Sequence, residues 1–159
     1  MFTDIDKQMM HHAIEACRRG IESGQSPFGS AIARGDELIV ATHNHVWANT
    51  DITAHAEVHN IRLACEQLEA VELHGCTIYA TTEPCPMCFS AIHWAKIERI
   101  IFGSSIEDAQ SAGFSELTIS NEQMKNDGGS PLEIVGPLLR DECVALFDEW
   151  KSRPDRRVY

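Results

Sequence analysis

The sequence predicts an α/β fold of three layers, α/β/α, in which helices cover both faces of a central mixed five-stranded sheet. Short β-branched and apolar segments alternate with longer segments whose apolar residues recur at helical spacing, a pattern typical of layered α/β proteins. The first two strand segments are separated only by Arg34-Gly35-Asp36, a turn that favours a hairpin. A hairpin pairs its strands antiparallel, so we expect a mixed rather than a purely parallel sheet.

The first helix is predicted to begin at Thr3 and to end near Gly20. Thr3 is a suitable N-cap, and Asp6 favours the first turn of the helix. Apolar residues follow one face of the segment: Met9, Ala13, Cys17 and Ile21. Gly20 and Gly24 are typical of a helix end.

The middle of the chain alternates strands with helices. Apolar residues form a stripe along the second helix, and Pro86 suits the first turn of the third. The predicted elements are strands at 28–33, 37–44 and 77–81, a polar loop at 45–53, and helices at 54–68 and 86–95.

The last third of the chain is predicted to be less regular. A strand at 99–102 leads into a long irregular stretch that contains Gly113-Phe114 and Asn126-Asp127-Gly128-Gly129. Strand 132–135, helix 141–150 and a charged tail at about 151–159 complete the chain.

Composition and charge favour one domain, residues 1–159, that acts on a small molecule. A length of 159 residues, with 43% hydrophobic and 23% charged residues, suits a globular domain with a proper core. The net charge of −11 repels phosphate backbones and argues against a nucleic-acid partner. No apolar run approaches the roughly 20 residues of a membrane span, and the acidic N-terminus does not resemble a signal peptide. We therefore expect a cytoplasmic protein without membrane attachment.

Two short motifs predict a catalytic zinc site. His55-Ala56-Glu57 and Pro84-Cys85-Pro86-Met87-Cys88 each fall at the start of a predicted helix. A helix N-terminus lowers the pKa of a thiol and favours the thiolate that zinc needs. One histidine and two cysteines leave the fourth tetrahedral position open for water, as in catalytic sites. The combination of H-x-E with P-C-x-x-C is the signature of zinc-dependent nucleobase deaminases.

Three other interpretations of these residues remain open at this point. Cys85 and Cys88 follow a strand and open a helix, as in a thioredoxin-like redox pair. A structural zinc site would need a fourth ligand, for which Cys65, Cys76 and His59 are candidates. His55 and His59 have the spacing of a zinc-protease motif, but alanine stands where that motif requires glutamate.

These motifs resemble those of the cytidine deaminase superfamily, on its nucleobase and tRNA-adenosine deaminase side. Residues 53–58 and 81–88 carry most of the resemblance. Further segments extend it over nearly the whole chain: 91–95, 112–114 and 136–143. The branch that the chain most resembles is the small zinc-dependent bacterial guanine deaminases. The resemblance implies a cytidine deaminase-like fold, one Zn²⁺ per chain held by His55, Cys85 and Cys88, and proton transfer by Glu57.

That branch also implies a set of substrate-binding residues: Phe28, Asn44, Ala56, Trp94, Glu116 and Tyr159. It further implies a homodimer with a swapped C-terminal tail, in which the terminal Tyr159 helps to seal the pocket of the other copy. Ser115 departs from the pattern of the branch, where an acidic residue is more usual. Most of these residues also have an interpretation that involves no substrate. Phe28 and Trp94 would then only pack against neighbouring residues, and Asn44 would form a turn at the end of a strand. Glu116 would be a solvent-facing charge on a loop, and Tyr159 would belong to a disordered chain end.

The function predicted from the sequence is hydrolytic deamination of a free nucleobase, with guanine converted to xanthine and ammonia. A related amino-heterocycle or nucleoside is an alternative substrate: cytosine, isocytosine, guanosine or an aminotriazine. A tRNA adenosine deaminase would share the catalytic residues but would need a basic surface and a flipped nucleotide. A non-catalytic, zinc-stabilised binding module is the alternative from another class, although such a module has no use for Glu57.

Overall fold

A five-stranded sheet with the strand order β2-β1-β3-β4-β5 lies at the centre of the protein. The computed structural model describes residues 1–159. The strands are β1 (Gly29–Arg34), β2 (Glu37–His43), β3 (Cys76–Thr82), β4 (Arg99–Ser104) and β5 (Glu133–Val135). The helices are α1 (Asp4–Glu22), α2 (Val46–Asn49), α3 (Ala56–Leu68), α4 (Pro86–Trp94), α5 (Ile106–Ala112), α6 (Asn121–Gly128) and α7 (Arg140–Lys151). None of these helices is long and apolar enough to span a lipid bilayer.

The sheet is mixed, as the hairpin predicts. β1 pairs antiparallel with both β2 and β3, whereas β3–β4 and β4–β5 are parallel pairs. The register places Gly29 opposite His43 on β2, and Ser30 opposite Ala80 on β3. The beginning of β1 and the ends of β2 and β3 therefore meet at one edge of the sheet. We call this edge the functional edge, because the candidate site described below lies there.

Two hydrophobic cores confirm the three-layer arrangement. One core packs α1 and α7 against one face of the sheet, and the other packs α3 and α4 against the opposite face. Along β1 the side chains alternate between them: Ala31 and Ala33 belong to the first core and Ile32 to the second. This alternation follows from the period of two in a pleated strand.

α1 begins as predicted but extends past its predicted end. The Thr3 hydroxyl accepts a hydrogen bond from the Asp6 amide, and the Asp6 carboxylate accepts one from the Thr3 amide, which completes a capping box. Gly20 lies inside the last turn rather than after it. A Cβ atom at Gly20 would lie 2.7 Å from the His43 ring, so this glycine allows close contact between α1 and β2.

A buried ionic network joins α1 to the sheet. The Asp6 carboxylate, 2% exposed as a residue, accepts hydrogen bonds of 3.0 Å from the Tyr79 hydroxyl and 3.0 Å from the Arg99 guanidinium. Burial opposes ionisation of Asp6, but the bonds from Thr3 and Tyr79 and the charge of Arg99 outweigh it and lower the pKa of Asp6. The stabilisation that this carboxylate contributes is therefore present above its unfolded pKa and is lost as the pH falls through its folded pKa.

Three short helices lie where the sequence predicts loops. α2 occupies part of the predicted polar loop, and α5 and α6 occupy part of the predicted irregular stretch. Ser105 forms a capping box with Asp108 at the start of α5, and Ser120 caps α6. These capping residues are visible in the sequence, but α6 buries only Asn121 and so has no hydrophobic stripe. Periodicity alone therefore misses it.

Candidate active site

The predicted ligands His55, Cys85 and Cys88 meet at the functional edge of the sheet. His55 is the N-cap residue of α3, Cys85 is the N-cap residue of α4, and Cys88 lies in the first turn of α4. His55 Nδ1 lies 3.6 Å from Cys85 Sγ and 3.6 Å from Cys88 Sγ. One ligand atom from each residue lies within 4.8 Å of the others. The prediction that two helix starts bring three ligands to one point is confirmed.

The donor set and its spacing fit a zinc ion. Tetrahedral zinc with Zn–N near 2.1 Å and Zn–S near 2.3 Å requires an N···S separation of about 3.6 Å, the distance observed for both cysteines. A hydrogen bond from Cys88, together with the hydrogen bond and charge of His55, lowers the pKa of Cys85 to about 4 against the opposing effect of burial. This favours the Cys85 thiolate that zinc ligation requires, whereas burial raises the pKa of Cys88, the donor in that hydrogen bond.

The ligand cluster is open rather than closed. No further histidine, cysteine or carboxylate joins these residues within ligand distance, and the candidates for a fourth ligand, Cys65, Cys76 and His59, lie outside the cluster. A structural zinc site normally has four protein ligands, whereas a catalytic site keeps one position for water or substrate. The geometry therefore favours a catalytic centre.

Glu57 lies in the first turn of α3 with its carboxyl group beside the cluster. The residue is 7% exposed, and its Oε2 accepts a hydrogen bond of 3.5 Å from Cys88 Sγ. Burial, together with the negative charge of Cys85, raises the pKa of Glu57 to about 7. A carboxyl group placed beside the ligands can accept a proton and later donate it, which suits a general base that then acts as an acid.

Buried polar side chains hold α3 and β1 in register around Glu57. Asn60, one turn after Glu57, donates a hydrogen bond of 3.0 Å to Ser30 of β1. The backbone of Gly29 donates one of 3.0 Å to the hydroxyl of Thr81. These contacts fix the first turn of α3 relative to the functional edge.

A cavity of about 280 Å³ opens beside the ligand cluster. His55 and Cys85 form part of its floor, and it is otherwise lined by Ile52, Pro86, Met87, Phe114, Ser115, Glu116, Leu117 and Tyr159. A smaller recess adjoins the same ligands and is lined by Phe28, His55, Glu57, Thr82, Glu83, Cys85 and Glu116. Glu116 borders both spaces.

Tyr159 lines this cavity, and the buried Asn44 contacts it from behind. Asn44 is fully buried at the end of β2, where its Oδ1 accepts a hydrogen bond of 3.0 Å from the Val46 amide. Its Nδ2 donates a hydrogen bond of 2.7 Å to the Tyr159 hydroxyl. The Tyr159 ring centroid lies 5.5 Å from that of His55. In the single chain the C-terminal tail therefore reaches the site of its own copy.

The remaining predicted residues lie at different distances from the cluster. Phe28 lines the recess and packs edge-on against Phe114 with ring centroids 4.8 Å apart. Ala56 is fully buried at the first position of α3. Trp94 is 75% exposed at the end of α4 and lines a separate cavity with Phe89, Ser90, His93, Met124, Gly128 and Ser130. The structure thus brings Phe28, Glu116 and Tyr159 to the ligand cluster of one chain, with Asn44 bonded behind Tyr159, and it does not bring Trp94 there.

Sequence reasoning did not assign the apolar rim of the cavity or the residue that precedes the cysteine motif. Ile52, Met87 and Leu117 line the cavity and expose 58%, 37% and 64% of their surface. Glu83 lines the recess directly before Pro84 and Cys85. Its place next to the ligand motif was the available signal, whereas nothing in the sequence marks Ile52 or Leu117.

Comparisons with known proteins agree with this geometry. The family profile described as the cytidine and deoxycytidylate deaminase zinc-binding region matches residues 3–104. The chain is 32% identical to guanine deaminase of Bacillus subtilis over 151 residues, which cover 94% of this chain and 96% of that protein. It is 34% identical over 145 residues to a probable cytosine deaminase of Schizosaccharomyces pombe, with 87% and 88% coverage. It is 31% identical over 142 residues to the tRNA-specific adenosine deaminase of Bacillus subtilis, with 89% and 86% coverage.

A solved structure shares the architecture. The chain superposes on guanine deaminase from Nitrosomonas europaea with a TM-score of 0.85 and 26% sequence identity, covering 96% of this chain and 87% of that one. The mixed sheet between two helical layers is therefore the arrangement that the sequence predicts. The guanine deaminase from Nitrosomonas europaea has the same arrangement.

Proposed function

The chain belongs to the cytidine and deoxycytidylate deaminase zinc-binding family, and on that premise we propose that it deaminates a free nucleobase, guanine, to give xanthine and ammonia. Its membership makes it a hydrolase acting on C–N bonds that uses one Zn²⁺, for which His55, Cys85 and Cys88 supply the ligands. We further propose that residues 1–159 act as a single deaminase domain.

The observation that carries the guanine proposal is the position of the Glu116 carboxyl group. Glu116 borders the cavity and the recess beside Glu57, so it faces the edge of a planar base whose reacting carbon lies at the ligand cluster. Guanine presents ring N–H and amino donors to such an acceptor, whereas adenine lacks the ring N–H of its six-membered ring. Buried acceptors reject analogues that leave them unpaired.

The electrostatics of Glu116 are compatible with this role. Burial and the negative charge of Cys85 raise the pKa of Glu116, which disfavours its ionised form. A zinc cation held by Cys85 and its partners opposes that shift, because a bound cation is the largest local charge in such a site. Zinc therefore favours the carboxylate form that accepts hydrogen bonds from guanine.

The chain's own residues account for the proton movements of the reaction. Zinc supplies the Lewis acidity that lowers the pKa of water to about 7 at such centres. Glu57 takes a proton from the attacking water and passes it to a ring nitrogen, while the water oxygen adds to the carbon that carries the amino group. Glu57 then takes the remaining proton of the added hydroxyl group and delivers it to the amino group; the C–N bond breaks, ammonia leaves and the C=O bond forms. Phe28 and Phe114 provide apolar walls for the ring.

An ammonia-release assay on the zinc-loaded protein tests the substrate. We expect guanine to be consumed at enzymatic rates, of the order of 1–10³ s⁻¹, with xanthine as the second product. The panel contains cytosine, isocytosine, adenine, guanosine and cytidine beside guanine, with the Glu57→Gln variant as the blank. Turnover of a different compound would retain the chemistry and overturn the guanine proposal.

A tRNA substrate is the second candidate, supported by the similarity to tRNA-specific adenosine deaminases. The tail places Arg157 over the Trp47 ring at 4.3 Å, next to a further cavity that Tyr159 also lines. A net charge of −11 nevertheless opposes binding of a polyanion. Salt-dependent binding of tRNA, together with inactivity on every free base, would favour this candidate.

We also propose the homodimer with a swapped tail that the family resemblance implies. The bond between Asn44 and Tyr159 supports a role of the tail in closing the cavity. A tail exchanged between two identical copies would make the same contact in the other copy, so every site would still contain one Tyr159.

Complementation between two variants tests the exchange. A Glu57→Gln chain has an intact tail, and a Tyr159→Ala chain has an intact Glu57; we expect each alone to be impaired and a co-expressed mixture to regain activity. In a hybrid with exchanged tails, one site combines Glu57 with Tyr159. Activity of the mixture equal to the average of the two separate variants would contradict exchange, because each site would then keep its own defect.

A further inference from the structure

Glu116 lies between a core residue, Phe114, and the start of α6. Between α5 and α6, residues 113–120 form neither helix nor strand. Phe114 is 3% exposed and packs against Phe28 and Trp150. Beyond it, the backbone of Glu116 accepts a hydrogen bond of 3.2 Å from the exposed Gln110 side chain, and Ile119 bonds to Leu117 within the segment. The position of the Glu116 carboxyl group therefore depends on Phe114 on one side and on how α6 is held on the other.

A single carboxyl side chain contacts the start of α6. Glu83 Oε1 accepts a hydrogen bond of 2.8 Å from the backbone N–H of Asn121, the first residue of α6. Glu83 thus holds the end of the segment that follows Glu116.

Two further hydrogen bonds connect this attachment to the residues that precede the cysteine motif. The amide of the Asn121 side chain donates a hydrogen bond of 2.6 Å to the carbonyl of Pro84, and the backbone N–H of Glu83 donates one of 2.8 Å to Ser104. Asn121 is fully buried. The segment that carries Glu116 and the loop that leads to the ligand Cys85 are therefore held together by adjacent residues.

We propose that Glu83 is a positioning residue that sets the affinity for the nucleobase by holding Glu116 at a fixed distance from the metal ligands and Glu57. The proposal rests on the proposed function for the role of Glu116, while its structural part concerns the chain alone. Glu83 does not need to exchange protons with substrate for this role. Its Oε1 is already bonded to the Asn121 amide, and Glu57 contacts the ligand Cys88 directly.

The acceptor oxygen of Glu83 is the property that matters. A carboxylate oxygen accepts stronger hydrogen bonds from N–H groups than a neutral amide oxygen does. Glutamine has nearly the same shape, but its amide oxygen is a weaker acceptor for the Asn121 N–H. Glu83→Gln therefore loosens the attachment without creating a cavity. The matched control is Glu122→Gln, because Glu122 is exposed on α6 and makes no side-chain hydrogen bond.

The experiment measures three properties of the zinc-loaded variants: hydrogen–deuterium exchange of the backbone amides in residues 106–121, zinc content, and steady-state kinetics. In Glu83→Gln we expect hydrogen–deuterium exchange of residues 106–121 to accelerate and KM for guanine to rise about tenfold, equivalent to about 1.4 kcal/mol. We expect kcat to stay within about threefold of wild type and zinc to remain at one per chain. Glu122→Gln should match wild type in all four quantities. Asn121→Ala, which removes the bond to Pro84, should shift exchange and KM in the same direction and serves if Glu83→Gln fails to fold.

A double-variant cycle separates positioning from a general structural effect. If Glu83 acts through Glu116, then Glu83→Gln should raise KM much less in a Glu116→Gln background than in wild type. Equal effects in both backgrounds, unchanged exchange in 106–121, or a fall in kcat accompanied by zinc loss would each overturn the proposal. Wild-type inactivity on guanine would contradict the proposed function instead, and the exchange measurement, which needs no substrate, would still decide the structural part.

Discussion

Glutamine at position 57 is expected to abolish turnover while leaving the zinc site occupied. General acid–base groups contribute about 10²–10⁴-fold to rate, and Glu57 is the buried carboxyl group in direct contact with the ligand cluster. Glutamine has the same shape but cannot carry a proton between water, ring nitrogen and amino group. Because Glu57 is not one of the three ligands, its replacement should leave zinc at one per chain.

Ammonia release and elemental analysis of the purified Glu57→Gln protein check this result. Glu66→Gln is a suitable control, because Glu66 lies on the exposed side of the same helix and should retain full activity. A Glu57→Gln protein that binds zinc and keeps near-normal turnover would show that another group moves the protons. Loss of zinc together with activity would show that Glu57 supports the metal rather than the reaction.

Replacement of Cys88 by alanine is expected to remove both zinc and activity. Cys88 is fully buried and lies 3.6 Å from the His55 ring nitrogen, so two ligands remain after the change. Loss of the Lewis acid costs several kcal/mol of transition-state stabilisation, which corresponds to a rate decrease on the order of a hundredfold or more. The Cys65→Ala variant is the control, because Cys65 lies outside the cluster.

Thermal unfolding provides a measurement that does not depend on catalysis. A ligand that binds only the folded state stabilises it by about 2.7 kcal/mol at a hundred times its Kd. Zinc added after chelation should therefore raise the Tm of wild type and of Cys65→Ala, and should restore their activity. An equal rise in Cys88→Ala would contradict the assignment of Cys88 as a ligand.

The order of secondary structure was largely predictable because most elements carry local signals. The capping box of Thr3 and Asp6 marks the start of α1, and the turn at Arg34-Gly35-Asp36 marks the hairpin. The short helices α5 and α6 were not predicted, because each is held by a serine cap and few buried residues. Without a hydrophobic stripe, such helices resemble loops in sequence.

The residues of the candidate site also fall into two groups: those that local sequence spacing identifies and those that only packing between distant elements positions. His55, Glu57, Cys85 and Cys88 were identified from spacing, since each pair lies within one helix start and its geometry is local. The positions of the substrate residues depend instead on packing between distant elements. Trp94 is the clearest example: it follows the cysteine motif on α4, yet it is turned to solvent in the single chain.

The sequence by itself determined the metal chemistry of this protein: a histidine and two cysteines at helix starts specify zinc, and the glutamate beside them is the proposed proton carrier. Only the tertiary structure decided what surrounds them: the Glu83–Asn121 bond, the Asn44–Tyr159 bond and the cavity bordered by Glu116. Ligand identity and helix caps follow from side-chain chemistry within a few residues. Contacts across 38 or 115 positions of the chain arise only when sheet order and helix packing bring separate segments to one edge.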